Sequence, residues 1–164
     1  MNAATTTITQ VNEVYIRAGA QAIWDAITQP DWTERYGYAC RSDYDLRPGG
    51  AFRSDAGPEM QAMGMPEHVV DGEVIEADPP HKLVQTWRFL WSDEIKAEGP
   101  KRLTYKITET APGVCKLTIT HELDNAPLTE EMVTGRIPNA GGGWVYVLSD
   151  LKSLLETGRP LAGQ

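Results

Sequence analysis

Two residues able to transfer protons, Tyr105 and His121, lie in segments where apolar and polar residues alternate. Tyr105 stands between Leu103 and Ile107, and His121 stands two residues after Ile119. Because alternate residues of a strand point to the same face, each polar side chain shares a face with apolar neighbours. A phenol and an imidazole in such surroundings can act as acid–base groups, or they can orient a ligand in an apolar site. The pattern leaves both roles open.

Aromatic residues mark a third segment of the same kind. Over residues 83–91, one face carries Leu83, Gln85, Trp87, Phe89 and Trp91. The larger side chains share this face, so we expect it to point into the protein. Together with residues from the predicted helices, the candidate ligand-binding set is Trp32, Tyr36, Trp87, Phe89, Tyr105, His121, Trp144 and Leu148. Ordinary core packing is the alternative explanation for each of these side chains.

Motifs for other kinds of chemistry are absent from the sequence. The histidines, His68, His81 and His121, are far apart and lack the spacing of metal ligands. No G-x-S-x-G sequence supplies a nucleophilic serine. The glycine run at residues 141–143 lacks the lysine of a phosphate-binding loop. We therefore assign no catalytic residue and predict neither a metal ion nor another cofactor.

The charge balance narrows the choice of partners. The 15 Lys and Arg residues and 23 Asp and Glu residues give a net charge of −8, whereas nucleic-acid binding requires cations that neutralise phosphates. No stretch approaches the ~18 apolar residues of a membrane span, and the N-terminus lacks the pattern of a secretory signal. Cys40 and Cys115 are predicted to be free thiols of a cytoplasmic protein. The expected partner is a small apolar or aromatic molecule, bound by a monomer or homodimer.

The remaining patterns predict the elements that position these side chains. Residues 8–17 predict a strand, and apolar residues at i, i+3, i+4 and i+7 predict a helix over residues 20–28. Pro30 opens a second, short helix over residues 31–36. Further strands are predicted over residues 44–47, 51–53, 69–76, 82–91, 102–109 and 115–123, with loops at 54–68 and 92–100. A long amphipathic helix over residues 142–157 follows, and Gly158 ends it.

This order of elements predicts a single α+β domain over residues 1–164, with a core of about residues 10–158 and short flexible termini. Strands at such even spacing are typical of one antiparallel sheet. If the last helix lies across the concave face of that sheet, a cavity is expected between them. The glycines at residues 141–143 then form either a hinge for a gate or a fixed entry to the helix, with Trp144 as its anchor.

Eight short sequences occur in a characteristic order along nearly the whole chain. They lie at residues 14–18, 23–30, 46–50, 72–80, 83–87, 117–121, 143–144 and 148–158. Their joint order resembles the SRPBCC superfamily, also called START/Bet v-like or helix-grip. Within it, the chain is most similar to the bacterial branch named for the activator of heat-shock protein 90 ATPase homologues.

The resemblance implies a curved, seven-stranded antiparallel sheet wrapped around the C-terminal helix, with two short helices after the first strand and a deep cavity for apolar ligands. It does not imply one chemistry, because the superfamily includes lipid carriers, polyketide aromatase/cyclases and co-chaperones. The methionine-rich segment 54–68 and the segment 128–143 would both lie at the cavity mouth.

Three functional hypotheses follow from the residues and the resemblance. The first is binding of a small hydrophobic or aromatic ligand between sheet and C-terminal helix, for carriage, sensing or sequestration. The second is an enzyme of the polyketide cyclase/aromatase or dehydratase type that uses Tyr105 and His121 as acid–base groups. The third is a co-chaperone-like interaction module, which rests on analogy with the family alone.

Overall fold

The computed structural model describes residues 8–137 and 141–161. Within them the strands are β1 (Thr9–Ile16), β2 (Arg41–Tyr44), β3 (Ala51–Asp55), β4 (His68–Asp78), β5 (Lys82–Phe89), β6 (Lys101–Ala111) and β7 (Val114–Glu122). The helices are α1 (Ala20–Thr28), α2 (Pro30–Thr33), α3 (Pro58–Ala62), α4 (Asp93–Lys96), α5 (Pro127–Val133) and α6 (Gly143–Thr157). The termini predicted to be flexible lie largely outside the described residues.

All seven strands belong to one sheet, in the order β1-β7-β6-β5-β4-β3-β2, and each pairs antiparallel with its neighbours. Register shifts interrupt three of the ladders, at Ser54/Asp55, Val74/Glu76 and Glu109/Ala111. Such bulges bend strands and increase their twist, and so curve a sheet. The predicted α+β helix-grip architecture is therefore confirmed.

The core lies between the inner face of this sheet and the helices α1 and α6. Its centre is formed by alternate residues of β5, β6 and β7, such as Leu83, Leu103 and Leu117, none of which is exposed. From α6, Leu148 and Leu151 are buried in the same core. Burial of each such side chain contributes about 2 kcal/mol, so the apolar stripe of α6 fixes this helix on the sheet.

Three local predictions differ from the structure. The strand predicted over residues 44–47 ends at Tyr44, because the backbone turns sharply after it: Asp45 N donates to Ala51 O at 2.9 Å, and Gly50 N donates to Arg47 O at 2.8 Å. The second helix ends at Thr33 instead of residue 36. The predicted loops 54–68 and 92–100 contain the one-turn helices α3 and α4, which are too short to show a helical period.

A buried carboxylate ties α6 to the chain around it. Asp150 is 1% exposed, and its two oxygens accept hydrogen bonds from the backbone N–H of Gly37, at 2.7 Å, and of Leu161. Gly37 follows α2, so this contact fixes the α2–β2 connection against the last helix.

Replacing Asp150 by Ala is expected to destabilise the protein by about 2 kcal/mol, because the two charge-assisted hydrogen bonds that its buried carboxylate accepts from the backbone are lost. Urea denaturation measures this change. The control is Ser149→Ala on the exposed side of the same helix, which should stay within about 0.5 kcal/mol of the parent protein. Equal stability of the two variants would show that the carboxylate does not hold these segments together.

Candidate functional site

Five of the predicted site residues come together between the sheet and α6. This aromatic cluster consists of Trp87, Phe89, Tyr105, His121 and Trp144. The Trp87 ring lies 4.3 Å from Phe89, 5.2 Å from His121 and 5.7 Å from Trp144, measured between ring centroids. Tyr105 meets Trp144 edge-on at 6.4 Å. The strand faces predicted from alternation therefore do converge on one place.

The other three predicted residues surround this cluster in different ways. Leu148 is 3% exposed and belongs to the core. Tyr36 packs against the core and donates a hydrogen bond from its hydroxyl to Ala26 O at 2.8 Å. Trp32 also packs on the core, but the guanidinium of Arg35 covers its ring at 4.5 Å from the centroid.

Sequence reasoning missed a second polar pair on the same inner face. The Tyr44 hydroxyl donates to Gln85 Oε1 at 2.8 Å, and Gln85 is 0% exposed. Tyr44 in turn stacks on Phe52 at 4.5 Å. Gln85 was detectable as a polar residue on a predicted inward face. Tyr44 was not, because the strand that carries it was predicted to begin where it ends.

The tyrosines of this region are neutral phenols. Burial raises the pKa of Tyr36, Tyr44 and Tyr105, since a phenolate is poorly solvated inside the protein. Each hydroxyl can therefore donate and accept hydrogen bonds at physiological pH without ionising. Although they pack against the core, all three side chains keep part of their accessible surface.

The protonation state of His121 follows from its surroundings. Burial lowers the pKa of His121 to about 3, so the imidazole is neutral at physiological pH. Trp144 Nε1 donates to His121 Nδ1 at 3.1 Å. Because an indole N–H can only donate, Nδ1 must be the acceptor and the ring proton sits on Nε2. Nε2 is buried and has no hydrogen-bond partner among the residues that the structure describes.

The start of α6 favours the fixed-entry alternative for the glycine run. Gly143 has φ +65°, and a Cβ added there would lie 2.2 Å from Val133 O at the end of α5. Its N–H donates to the Tyr38 hydroxyl at 3.1 Å. Trp144, the next residue, is 8% exposed. Close backbone contact and burial thus place the Trp144 indole on His121.

In residues 8–137 and 141–161, no three His, Cys, Asp or Glu side chains are grouped so that they could hold a metal ion. None of the helices described is long and apolar enough to cross a membrane. Both cysteines are free, with Cys115 buried and Cys40 partly buried.

A groove of about 490 Å³ lies at the β2–β3–β4 end of the sheet. Its lining includes the charged residues Asp43, Arg53 and Asp71, which are register partners on the solvent side of β2, β3 and β4. The groove is thus separate from the aromatic cluster and has a different, charged chemistry.

A curved antiparallel sheet that holds a long C-terminal helix, with an aromatic cluster between them, defines a helix-grip protein. The family described as "Activator of Hsp90 ATPase homolog 1-like protein" matches residues 17–156, and the chain belongs to this family. Among curated proteins, none matches the chain.

Several solved structures share the fold. The protein MLL2253 from Mesorhizobium loti is 22% identical, with a TM-score of 0.66 over 90% of this chain and 96% of that one. An Hsp90 activator from Plasmodium falciparum is 22% identical, with a TM-score of 0.55 over 94% of this chain and 91% of that one. CalU16 from Micromonospora echinospora is 17% identical, with a TM-score of 0.55 over 75% of this chain, which spans 64% of the CalU16 chain.

Proposed function

We propose that the protein binds a small hydrophobic or aromatic molecule between the inner face of the sheet and α6, for carriage, sensing or sequestration. The observation that carries this proposal is the partial exposure of Tyr36, Tyr44 and Tyr105. Protein surrounds these phenols closely enough to raise their pKa. Phenols that are largely surrounded by protein and still keep accessible surface offer a contact area for a ligand beside the aromatic cluster.

The chemistry of the lining suits an uncharged ligand. The walls are aromatic, with Trp87, Phe89 and Trp144 close together. The polar groups among them are neutral at physiological pH: the Tyr105 phenol and the His121 imidazole. A few neutral polar groups in an apolar surround are the usual means of orienting a small molecule. The apolar walls supply the driving force.

Three methionines lie in and directly after α3, where we place the mouth of the binding site. Met60 and Met65 pack against the core and remain partly exposed, whereas Met63 is 80% exposed. Methionine side chains adapt to ligands of different shape because they are unbranched and flexible. A mouth of this kind is suited to several related ligands and would not select a single one strictly.

The proposal predicts saturable binding of a neutral aromatic probe. N-phenyl-1-naphthylamine should bind with one site per chain, and Tyr105→Ala should weaken its binding about tenfold through lost aromatic contact. Probe fluorescence measures the dissociation constant. Tyr15→Ala is the matched control, because Tyr15 is 56% exposed on the outer face of β1. Absence of saturable binding, or equal weakening in both variants, would contradict the proposal.

Native mass spectrometry of freshly purified protein tests the same proposal without a chosen probe. A small molecule that co-purifies and is released by solvent extraction would support carriage or sequestration. If only the bare chain is observed and a chaperone is recovered in a pull-down, the co-chaperone-like hypothesis is preferred. That hypothesis draws on the family description and on the Plasmodium falciparum Hsp90 activator.

The enzymatic hypothesis has less support from the site. An imidazole whose pKa is about 3 is a weak base at neutral pH, and it is not protonated to serve as an acid. The raised pKa of Tyr105 likewise opposes its use as a base. Both groups are better suited to hydrogen bonding than to proton transfer.

A further inference from the structure

Three buried polar atoms without a partner share one patch of the inner face. They are Gln10 Oε1, Asn12 Nδ2 and His121 Nε2, and none forms a hydrogen bond within the described parts of the chain. Gln10 is the register partner of His121 across β1 and β7. Asn12 is opposite Ile119, which makes it a diagonal neighbour of His121. Such pairs have Cβ atoms about 5 Å and about 7 Å apart, so the three groups form one polar patch.

The hydrogen-bonding character of each atom is defined. His121 Nε2 carries the ring proton, because Trp144 donates to Nδ1. Gln10 Nε2 donates to Val133 O at 3.4 Å, which leaves Oε1 as an acceptor. Asn12 Nδ2 is an amide donor. The polar patch therefore offers two donors and one acceptor, all uncharged.

The three unpaired atoms make this patch costly as it stands in the fold. A buried polar group without a partner costs about 1–3 kcal/mol, and native proteins keep such groups few. Here three lie side by side, in a position that a fully apolar strand face would fill at no such cost. The residues fit a site whose hydrogen bonds are completed by a bound molecule.

The polar patch adjoins the aromatic cluster. His121 belongs to both, with its ring 5.2 Å from Trp87 and 6.0 Å from Trp144. A flat ligand that displaces the side chains covering these atoms would lie against the tryptophans and reach the patch with one end. That end meets donors and an acceptor but no charged group among the three.

We propose that the ligand is an uncharged aromatic or alicyclic molecule ending in a carbonyl group next to an N–H or O–H donor, as in a carboxamide or a hydroxyketone. Its carbonyl oxygen accepts from His121 Nε2 and Asn12 Nδ2, and its donor binds Gln10 Oε1. This inference rests on the proposed function, because it defines the polar end of the ligand bound in that site.

Three probes of nearly equal shape test the proposal: 2-naphthamide, the hydrocarbon 2-isopropenylnaphthalene, and the anion 2-naphthoate. Equilibrium dialysis should show the carboxamide binding about tenfold more tightly than the hydrocarbon, since only the carboxamide completes the buried hydrogen bonds. The carboxylate should bind more weakly than the carboxamide, because it brings a charge and no donor.

Variants of the patch residues test whether the preference for the carboxamide over the hydrocarbon comes from the polar patch. Asn12→Leu should reduce carboxamide affinity about fivefold and leave hydrocarbon affinity unchanged, while its melting temperature is equal to or above that of the parent protein. Thr9→Val, on the outer face of the same strand, is the control and should change neither affinity. His121→Phe keeps an aromatic ring and should abolish the preference where it folds.

The outcomes separate this inference from the proposed function. Equal affinities for carboxamide and hydrocarbon overturn the inference but leave the proposed binding between the sheet and α6 intact. Tightest binding of the carboxylate also overturns it, because the patch would then hold an anion. If none of the probes binds and N-phenyl-1-naphthylamine also fails, the proposed function itself is wrong.

Discussion

Lowering the pH from 7 to 4.5 is expected to reduce the free energy of unfolding by about 3 kcal/mol through His121 alone. In the unfolded chain a histidine takes up its proton near pH 6.5. In the folded protein burial lowers the pKa of His121 to about 3. Between these values the unfolded state binds more protons, so stability rises with pH in this window and falls as the pH is lowered.

The variant His121→Gln isolates this contribution. It loses the hydrogen bond from Trp144 and is less stable at pH 7, but it has no ring to protonate. Its stability should therefore fall by about 3 kcal/mol less than that of the parent over the same pH range. Urea denaturation at a series of pH values gives both curves. The test compares the slopes of the two curves of unfolding free energy against pH, and not the absolute stabilities at any one pH.

The comparison of parent and variant also cancels the contributions of other groups that titrate in acid. Hydrogen bonds from Thr118 to Glu13 and from Lys152 to Glu156 lower the pKa of these carboxyl groups, so their contributions are lost only at acid pH. They are present in parent and variant alike and cancel in the comparison. Parallel curves for parent and His121→Gln would show that His121 is not buried as a neutral ring.

The inner face of the sheet was the part of the site best predicted from sequence. Alternation in residues 83–91, 103–107 and 117–123 placed Trp87, Tyr105 and His121 on inward faces, and the structure has them there. Alternation succeeds because the side-chain period of a strand is two residues wherever one face is buried. The apolar stripe of α6 was predicted correctly as well, because a helix that buries one face repeats its apolar residues every three or four positions.

The polar residues of that face were harder to predict. Gln10 and Asn12 share the i, i+2 spacing of Val14 and Ile16, so they occupy inward positions on the same strand face, but their polarity is typical of a solvent face. Only the register of β1 against β7 shows that they lie beside His121. Register depends on which strands pair, and residues more than 100 positions apart in sequence meet here. Local pattern carries no information about that pairing.

Hydrogen bonds between secondary-structure elements could not be predicted from the sequence either. The glycines at residues 141–143 were predicted to form either a hinge for a gate or a fixed entry with Trp144 as its anchor. The contact of Trp144 with His121 Nδ1 depends on how α6 enters the fold. That entry is determined by the backbone of Gly143 and by its close approach to the end of α5. The sequence shows where the glycines are, but it does not show which backbone atoms lie in contact with them.

Gly143→Ala is expected to destabilise the protein by about 4 kcal/mol. The residue has φ +65°, where an L side chain costs about 1–2 kcal/mol. In addition, its Cβ would lie 2.2 Å from Val133 O and 2.7 Å from Gly135 N. Both contacts are backbone atoms, so α5 and α6 must move apart, and such overpacking costs about 1–3 kcal/mol more.

Gly113→Ala separates the two causes. Gly113 has φ +74° in the β6–β7 turn, and a Cβ there meets nothing within 4 Å. It should lose only the conformational part, about 1 kcal/mol. Moving α6 also carries Trp144 away from His121, so Gly143→Ala should shift tryptophan fluorescence, whereas Gly113→Ala should not. Equal losses of stability in the two variants, with unchanged fluorescence, would mean that the contact with α5 does not position Trp144. A larger loss in Gly143→Ala, with shifted fluorescence, would identify Gly143 as the residue that holds the indole over the aromatic cluster.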